Sequence, residues 1–480
     1  MEKFSRWNLA TILINCFLCA SGLDEFSPDS PVAAFEFGAI TKNEDIQNTS
    51  SSTLRLEDIV LISRTQQNSY HIKKAEEFKQ NLTSQVSPED KLFLRMLHET
   101  WAPYGAWSIF PILPSLLQRY ADNKAWIFFC EEDTVIDLKK LIEVLGKYNA
   151  SKELFLGHAI QDPRPAIIHH FAFVEDPSQF SFPDFAAGWA ISIPLLKSMS
   201  KRLESKPINS DFTIDVQHEV AMFIRNEGEG TLLTDVPELC TTLPGTQEHC
   251  ATSYNSSISC GRISSDDIFF AVKTTKKYHG DRVPVVKKTL GQHAKHVVFY
   301  SETEDPDVPT ENIGVPNTDT GHCAKLKAII DRSAVDRRFS DKPWLVVIDD
   351  DTIMSVPRMQ QLLACYDPQE PILLGERYGF GVATGYGYEY VTGGGGMVLS
   401  RAGINMLRES GCGCWQDNSP DDMWLGNCFR NLNIPVTHSP AFHQARPVEY
   451  VASLLDHQSA VSFHKHYDID PIAVYRDYLS

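Results

Sequence analysis

The sequence predicts an α/β protein made of two tandem copies of one domain, the first of them degenerate. Two observations carry this prediction. Bulky, β-branched runs such as "WLVVI" (344–348) lack polar alternation, which is typical of strands buried on both faces of a parallel sheet. In addition, "WIFFCEEDTVIDLKKLIEVL" (126–145) aligns without a gap with "WLVVIDDDTIMSVPRMQQLL" (344–363), and such repetition indicates a duplicated domain.

The order of elements in the second copy supports a parallel sheet. We expect a strand at 268–272, a helix at about 276–290 and a strand at 297–300, which together form a βαβ unit. Later segments also match between the copies: "AGWAIS" (187–192) resembles "GGMVLS" (395–400).

Composition and charge bound the class of protein. The net charge of −18 over 480 residues disfavours nucleic acid and anionic membranes as partners. A basic start, an apolar stretch and small residues predict a signal peptide at 1–22, and no later apolar run predicts a stable membrane span. We expect a flexible segment at 23–54, a degenerate domain at 55–240, a linker at 241–265 and the second domain at 266–480.

The cysteines indicate an oxidising compartment. Nine of the eleven follow residue 22, so most are expected to form disulfides and the odd count leaves one free. Cys412-Gly413-Cys414 has the wrong spacing for a zinc site and no second pair, which also favours disulfides. Four glycosylation sequons are compatible with the secretory route: Asn48, Asn81, Asn149 and Asn255.

Three consecutive aspartates, Asp349, Asp350 and Asp351, follow the strand at 344–348. They therefore fall at the edge where open α/β sheets bind ligands. Neighbouring carboxylates raise one another's pKa unless a cation offsets them, so a bound divalent ion explains the triplet. A helix-capping role for Asp351 is the alternative. The first copy has "EED" at 131–133 instead, which indicates a partly lost site.

The second copy resembles the Fringe-like β-1,3-glycosyltransferases over 266–480. The matching segments are "AVKTTKKYHGDRVPVVKKT", "DDDT", "GGGGMVLS", "PDDMWLGNC" and "VSFHKH", in that order. With the doubled domain, "AFHQARP" and "SFHKHYDIDP" are most similar to family members that transfer glucose in β-1,3 linkage to O-linked fucose on thrombospondin type 1 repeats. The resemblance implies GT-A-like (Rossmann-like) domains, a UDP-glucose donor, Mn2+ and inversion at the anomeric carbon.

The resemblance also implies residence in the endoplasmic reticulum lumen, although the C-terminal "YRDYLS" carries no retrieval signal. Golgi passage and secretion therefore stay open. Two functional alternatives remain as well. One is a family enzyme that transfers galactose or N-acetylglucosamine, and the other is an inactive glycan-binding protein or chaperone.

The predicted metal site centres on Asp351 as the direct ligand. Carboxylate and imidazole ligands together suit Mn2+, so a histidine is expected to complete the set. His443 in "PAFHQARP" and His464 in "VSFHKH" both qualify, because family members differ in which segment supplies the ligand. Fringe proteins carry a further histidine where this chain has Ala445, which shifts the prediction slightly toward His464.

The remaining predicted contacts are with the donor. Asp349 and Asp350 would face the ribose or bind the ion through water. "KTTKKYHGDR" should lie over the uracil and diphosphate, with Lys273 and Arg282 as contacts, although both are equally compatible with surface cations. In "TGGGGM" the backbone can approach a ligand closely, and no Gly-Lys-Ser/Thr follows that would make it a P-loop. We expect a wall of the sugar pocket from Gly394, Gly395 and Gly396.

The predicted catalytic acids are Asp421 and Asp422 in "SPDDMWLGN", at a helix start. One general base suffices for single-step inversion. Family resemblance assigns that base to Asp422, with Asp421 orienting it or the acceptor. The alternative is a pair of acids favoured only by the helix dipole. The first copy has no matching acid pair.

Overall fold

Two mixed β-sheets form the centre of the molecule. The computed structural model describes residues 54–101, 103–163, 173, 175–206, 208, 211–258 and 260–480, so the predicted signal peptide and nearly all of the segment 23–54 lie outside the described residues. The strands of the first half are β1 (Ile59–Arg64), β2 (Phe93–Met96), β3 (Trp126–Glu131), β4 (Thr134–Ile136), β5 (Phe155–Gly157), β6 (Ala159–Ile160), β7 (Phe182–Pro183), β8 (Trp189–Ser192), β9 (Phe212–Thr213), β10 (Leu233–Asp235) and β11 (Thr252–Tyr254).

The second half repeats this layout. Its strands are β12 (Ile268–Lys273), β13 (His296–Ser301), β14 (Thr310–Asn312), β15 (Trp344–Asp349), β16 (Thr352–Met354), β17 (Leu373–Gly375), β18 (Arg377–Phe380), β19 (Tyr388–Val391), β20 (Met397–Ser400), β21 (Thr437–His438) and β22 (Ser462–His464).

The longer helices pack on the sheets, and short helical turns connect them. The longer helices are α1 (Ser69–Ser84), α2 (Leu113–Tyr120), α3 (Leu138–Leu145), α4 (Ile193–Ser205), α5 (Val216–Arg225), α6 (Cys323–Val335), α7 (Val356–Leu363), α8 (Arg401–Glu409) and α9 (Asp421–Asn431). The shorter ones are Leu97–Thr100, Pro103–Ala106, Val283–Lys288, Ala452–Asp456 and Pro471–Val474.

The two large sheets share the order of six strands, and the second sheet has one additional edge strand, β14. The first runs β10-β5-β8-β3-β1-β2 and the second β14-β13-β12-β15-β20-β17-β21. In each sheet the central strand has one parallel and one antiparallel neighbour: β3 lies between β1 and β8, and β15 lies between β12 and β20. A two-stranded antiparallel ribbon accompanies each sheet, β4 with β11 and β16 with β22. The predicted α/β fold is therefore confirmed, but the prediction of a parallel sheet is wrong in part, because β8 and β20 each run antiparallel to both of their neighbours.

Both faces of each sheet are covered. Alternate residues of β12 enter different apolar clusters, since Phe269 and Ala271 pack on one face while Ile268 and Phe270 pack on the other. Val60 and Leu61 of β1 divide in the same way. This explains why the strands read as continuous apolar runs.

The halves are in direct contact within the unit that spans Asp45–Ser480. Strand β9 of the first half pairs with β18 of the second. The side chain of Gln66 also exchanges hydrogen bonds with the main chain of His438, at 2.7 and 3.0 Å. Strand β11 lies in the segment predicted as a linker, yet it pairs with β4, so it contributes to the first half.

The helix predicted at about 276–290 is wrong in its continuity. The segment forms a 3-10 turn at Lys276–Tyr278, a short α-helix at Val283–Lys288 and a second 3-10 turn at Leu290–Gln292. Pro284 sits in the first turn of the α-helix, where its missing N–H is tolerated, and it prevents a helix from running through from residue 276.

The nine cysteines that follow the predicted signal peptide form four disulfides and leave one free thiol. The pairs are Cys240–Cys250, Cys260–Cys365, Cys323–Cys414 and Cys412–Cys428, and Cys130 is free and buried. The expectation of disulfides with one cysteine left over is confirmed. Among the described helices, none combines the length and the apolar character that crossing a membrane requires.

Candidate active site

The aspartate triplet lies where the sequence predicts, at the carboxyl end of β15. Strand β12 runs parallel beside it, and the register sets Lys273 directly opposite Asp349. Strand β22 reaches the same edge by pairing with β16, which places His464 opposite Thr352. The side chains that follow three strands therefore meet at one edge of the sheet.

Asp349, Asp351 and His464 form a carboxylate and imidazole cluster whose ligand atoms all lie within 4.8 Å of one another. His464 Nε2 is 3.2 Å from Asp351 Oδ1, while its Nδ1 is 3.1 Å from the carbonyl oxygen of Gln444. Without a cation, His464 with both nitrogens protonated donates from Nδ1 to that carbonyl and from Nε2 to Asp351. Loss of the Nε2 proton would leave a lone pair facing the carboxylates while Nδ1 stays bonded to the carbonyl, as metal-binding histidines require. The cluster is thus able to hold a divalent cation.

The electrostatics of this cluster favour an ionised Asp351. Burial opposes ionisation of Asp351, but the hydrogen bond from His464 and the positive charge of Arg282 lower its pKa to about 2. Burial also opposes protonation of His464, yet Asp351 raises the pKa of that histidine above its usual value. A carboxylate that stays charged across the working pH range is a suitable cation ligand.

His443, the other predicted ligand, lies elsewhere. Both of its ring nitrogens are engaged, Nδ1 with the carbonyl oxygen of Ser462 at 3.1 Å and Nε2 with Gln458 at 2.9 Å. The ring also stacks on Phe463 at a centroid distance of 4.6 Å. Buried and fully occupied, His443 has a packing role here, and the structure does not bring it to the aspartates.

Lys273 is buried between two carboxylates, so it is not the surface cation that the sequence allowed as an alternative. Its ammonium is 2.9 Å from Asp349 and 2.5 Å from Asp421, and the side chain is 6% exposed. Burial lowers the pKa of a lysine, but these two carboxylates outweigh it and raise the pKa of Lys273. Lys273 therefore holds the metal-candidate cluster and the predicted catalytic pair in a fixed relation.

Asp350 and Arg282 are also held by protein contacts. Arg282 donates to Asp350 at 3.0 Å and lies 2.9 Å from Asp351, and the Thr274 hydroxyl donates to Asp350 at 2.7 Å. Burial raises the pKa of Asp350 to about 6. Asp350 is thus held by Thr274 and Arg282, and the same nitrogen of Arg282 also contacts Asp351 of the cluster.

Asp421 and Asp422 occupy the first turn of α9, as predicted. Asp422 accepts from the backbone N–H of Met423 at 2.7 Å and of Gly393 at 3.4 Å. Burial and the negative charge of Asp421 raise the pKa of Asp422 to about 7. Burial also disfavours the charged form of Asp421, but Lys273 reverses this and lowers its pKa. Asp421 is therefore favoured in its charged form, whereas the pKa of Asp422 lies near neutral pH.

The glycine run lies between the two groups. A Cβ on Gly394 would come within 2.3 Å of the His464 ring, so only glycine fits there. Gly396 has φ of +102°, a conformation that side chains disfavour. The N–H of Gly395 donates to the side chain of Gln444 at 3.1 Å. The predicted wall of the pocket thus packs directly against the candidate metal ligand.

The first half retains the same framework with different chemistry. Arg64 pairs with Glu131 at 2.5 Å and Lys74 with Asp133 at 2.5 Å, and His71 pairs with Glu132. In the ribbon that corresponds to β16 and β22, the residue opposite Thr134 is Tyr254, whereas in the second half it is a histidine. The metal-candidate imidazole is therefore replaced by a phenol.

Sequence reasoning missed Gln444, which supports the glycine run and His464. Its side chain accepts from the Thr392 hydroxyl at 2.5 Å in addition to Gly395, and its carbonyl holds the His464 ring. Gln444 directly follows His443 in "AFHQARP", so the segment itself is the sequence signal for this region. Tyr254 was missed too, because the segment around it has no sequence similarity to "VSFHKH" and only the strand pairing shows that the two correspond.

Carboxylates and an imidazole gathered at the carboxyl edge of an α/β sheet, next to a pair of acids, define a ligand-binding enzyme site of the group-transfer class. The Fringe-like family model matches residues 115–222 and 263–479, one piece in each half. The chain belongs to the Fringe-like family of glycosyltransferases. The resemblance stated from the sequence is confirmed.

Curated relatives agree. The chain is 47% identical over 449 residues to the human "Beta-1,3-glucosyltransferase", covering 92% of this chain and 89% of the relative. The mouse protein of the same name is 47% identical over 448 residues, covering 92% of this chain and 91% of the relative. The Drosophila melanogaster "Fringe glycosyltransferase" is 31% identical over 39% of this chain and 51% of the relative.

One solved structure, a glycosyltransferase involved in glycosylation of the major capsid of PBCV-1, is similar at a TM-score of 0.27 and 11% identity, covering 41% of this chain and 91% of that one. This value is too low to add to the description of the fold. The predicted enzyme class, a glycosyltransferase, is confirmed by the relatives.

Proposed function

We propose that this chain transfers glucose from UDP-glucose, with inversion, in β-1,3 linkage to O-linked fucose on thrombospondin type 1 repeats. The observation that carries the proposal is the joining of two groups by one buried lysine. Lys273 links the Asp349, Asp351 and His464 cluster to the acids Asp421 and Asp422. The identity to human and mouse β-1,3-glucosyltransferases supports glucose as the donor sugar.

The ligand set formed by Asp349, Asp351 and His464 fits Mn2+. Two carboxylates and one imidazole combine ligands that this ion accepts, and His464 is oriented by a carbonyl on its other nitrogen. We assign Asp351 and His464 as direct ligands, and Asp349 as a ligand or a partner through water. A bound Mn2+ would supply the positive charge that stabilises UDP as it leaves.

The proton of the acceptor goes to Asp422. As the fucose hydroxyl oxygen attacks the anomeric carbon from the face opposite UDP, Asp422 takes its proton, and the electrons of the broken carbon–oxygen bond leave with UDP. Burial and Asp421 give Asp422 a pKa of about 7, which makes it a base of suitable strength near neutral pH. Asp421 keeps its negative charge because it is ion-paired to Lys273, and this charge helps to raise the pKa of Asp422.

We propose that both halves are GT-A-like domains and that the first is degenerate. The six strands that the two sheets share in the same order support the duplication. In the first half the acids are already paired with Arg64, His71 and Lys74, and Tyr254 stands at the position of His464. We place the protein in the endoplasmic reticulum lumen, in keeping with its four disulfides.

The test measures UDP release from a panel of UDP-sugars, with and without a fucosylated repeat as acceptor. We expect release that depends on both UDP-glucose and the acceptor. Asp351→Asn should abolish it, and Asp133→Asn, the same change at the corresponding position of the first half, serves as the matched control. A preference for UDP-galactose or UDP-N-acetylglucosamine would reassign the donor. No release with any donor, while fucosylated repeats still bind, would indicate a glycan-binding protein instead.

A further inference from the structure

Strand β19 carries two tyrosines, Tyr388 and Tyr390, beside the proposed general base. Helix α9 packs against this strand so closely that a Cβ on Gly426 would lie 2.4 Å from the Cβ of Tyr390. Asp422 precedes Gly426 by four residues, so it lies on the same face of α9, one turn nearer the helix start. There it accepts from the N–H of Gly393, just beyond the end of β19. Alternate residues of a strand share a face, so both tyrosines face α9.

The rings of both tyrosines are buried, but their hydroxyl groups are unused. Tyr388 is 9% and Tyr390 is 5% exposed, and they pack with Tyr378 and Met423 in one apolar cluster. Within the part of the chain that the structure describes, neither phenol oxygen makes a hydrogen bond, and neither is among the solvent-sealed side-chain atoms that lack one. Buried tyrosines usually find a partner for the O–H. These two hydroxyl groups are therefore open to a ligand.

Electrostatics place these tyrosines beside Asp422 rather than beside the metal-candidate cluster. The negative charge of Asp422, together with burial, raises the pKa of Tyr388 to about 12 and also raises the pKa of Tyr390. Among the described residues, Asp422 is the one carboxylate that acts on either phenol. The hydroxyl group that gives its proton to Asp422 approaches from the face opposite UDP. The tyrosines therefore lie on the acceptor side of the base.

The first half of the chain supports this tyrosine surface. Strand β9 pairs with β18 and β18 pairs with β19, so a three-stranded sheet joins the two halves. The ring of Phe212 in β9 lies 5.4 Å from that of Phe380, which in turn lies 5.7 Å from that of Tyr388. Ile214 of the first half packs against the same cluster. A continuous row of side chains thus runs from the first half to Tyr388.

The tyrosine surface is open to a ligand that is attached to a protein. Tyr386, between β18 and β19, is 82% exposed and continues the aromatic surface beyond Tyr388. A sugar carried by a folded protein can enter only where its carrier is not excluded, and the turn of a hairpin meets this requirement. Aromatic rings with a few hydroxyl groups are also typical of small-molecule sites. They match the C–H faces and the hydroxyl groups of a sugar.

We propose that Tyr388 and Tyr390 form the subsite for the acceptor sugar, where their hydroxyl groups hydrogen-bond to the fucose carried by the repeat. The first half is then a positioning module, because it holds Tyr388 through Phe212 and Phe380. This inference rests on the proposed function, since it names the residues that recognise the acceptor. It does not depend on which sugar the donor carries, because the tyrosines lie on the other side of Asp422.

The test measures, by isothermal titration calorimetry, how a fucosylated repeat and the same repeat without fucose bind the full chain in the presence of UDP and Mn2+. Tyr388→Phe and Tyr390→Phe remove only the hydroxyl group and keep the packing of the ring. Tyr300→Phe is the matched control, because Tyr300 on β13 is 1% exposed and its hydroxyl group also lacks a partner among the described residues. Circular dichroism checks that each variant folds.

Two further variants test the support from the first half. Phe212→Ala removes the ring that packs on Phe380, and Phe212→Leu restores part of its volume. Phe93→Ala is the matched control, because Phe93 is also partly buried but lies on β2, at the far edge of the first sheet. Steady-state kinetics with the fucosylated repeat separate KM from kcat in every variant.

We expect Tyr388→Phe and Tyr390→Phe each to bind the fucosylated repeat about two- to tenfold more weakly, as the loss of one hydrogen bond predicts. The KM for this repeat should rise more than kcat falls. Affinity for UDP-glucose and for the unmodified repeat should stay at the wild-type level, and Tyr300→Phe should match the wild type throughout. Phe212→Ala should weaken binding of the fucosylated repeat in the same way, Phe212→Leu less so, and Phe93→Ala not at all.

The subsite is overturned if both tyrosine variants bind the fucosylated repeat as the wild type does, or if they lose the same affinity for the unmodified repeat. Wild-type binding in Phe212→Ala overturns the positioning role of the first half. If the wild-type chain does not distinguish the two repeats, the subsite and the proposed acceptor are both wrong. UDP release only from a donor other than UDP-glucose corrects the proposed function alone, and weaker binding in the tyrosine variants then still supports the subsite.

Discussion

Replacing Asp422 with asparagine tests the general base directly. The amide keeps an oxygen for the Met423 N–H but cannot accept the proton of the acceptor hydroxyl. Loss of a general base typically lowers the rate by about 10²–10⁴. UDP-glucose affinity should survive, because Asp422 contacts neither Asp351 nor His464. The transfer rate and the affinity for UDP-glucose are therefore measured separately for Asp422→Asn.

The structure also predicts the pH profile. With a pKa of about 7, about half of the Asp422 carboxyl is ionised at pH 7 and about a tenth at pH 6, so kcat should fall nearly tenfold per pH unit in the acid limb. The negative charge of Asp421 raises that pKa. Asp421→Asn should therefore move the limb to lower pH and cost less rate than Asp422→Asn.

Three outcomes would refute this reasoning. One is a near-normal transfer rate in Asp422→Asn. Another is a loss of rate in that variant caused only by failure to bind UDP-glucose. The third is an acid limb that moves to higher pH when Asp421 is neutralised, since removing a neighbouring negative charge can only favour ionisation of Asp422. Each of these results would mean that Asp422 is not the general base.

The other predictions concern the metal, the first half and the free thiol. Asp133→Asn should leave transfer to a short fucosylated peptide unchanged, whereas Asp351→Asn abolishes it; equal losses in two variants that remain folded by circular dichroism would indicate two active sites. His464→Ala should raise the Mn2+ concentration for half-maximal activity about tenfold or more, while His443→Ala leaves it unchanged and lowers the free energy of unfolding by about 1–3 kcal/mol. An equal Mn2+ requirement in both variants would contradict this assignment. Cys130 is 1% exposed and burial raises its pKa, so iodoacetamide should label it, as detected by mass spectrometry, only after denaturation; labelling in the native protein would contradict its burial.

The strands and the duplication could be predicted because they depend on local pattern. Runs such as 344–348 are apolar throughout, and a sheet covered on both faces selects that composition directly. The continuity of the helix at 276–290 could not be predicted from apolar content alone. Pro284 lies in the first turn of a new, short helix, and a 3-10 turn precedes and follows that helix, so one continuous helix does not form.

The acids of the candidate site could be identified from sequence, but their partners could not. A lysine at a strand end is equally suited to a phosphate and to a carboxylate, and only the strand register shows that Lys273 faces Asp349. His443 and His464 each stand in an aromatic segment, so residue type cannot separate them. The pairing of β22 with β16 separates them, because it carries His464 to the aspartates.

The two halves show why an acidic triplet alone is weak evidence for a metal site. Each half keeps three acids at the same sheet edge, and in the first half Arg64, His71 and Lys74 are their partners. Removing one partner of a buried ion pair typically costs about 3–5 kcal/mol, so acids and cations are retained together even without an ion. The informative difference is the uncharged ligand. Where His464 in the second half completes a donor set, Tyr254 in the first half does not, and the same framework is left with a neutralised edge.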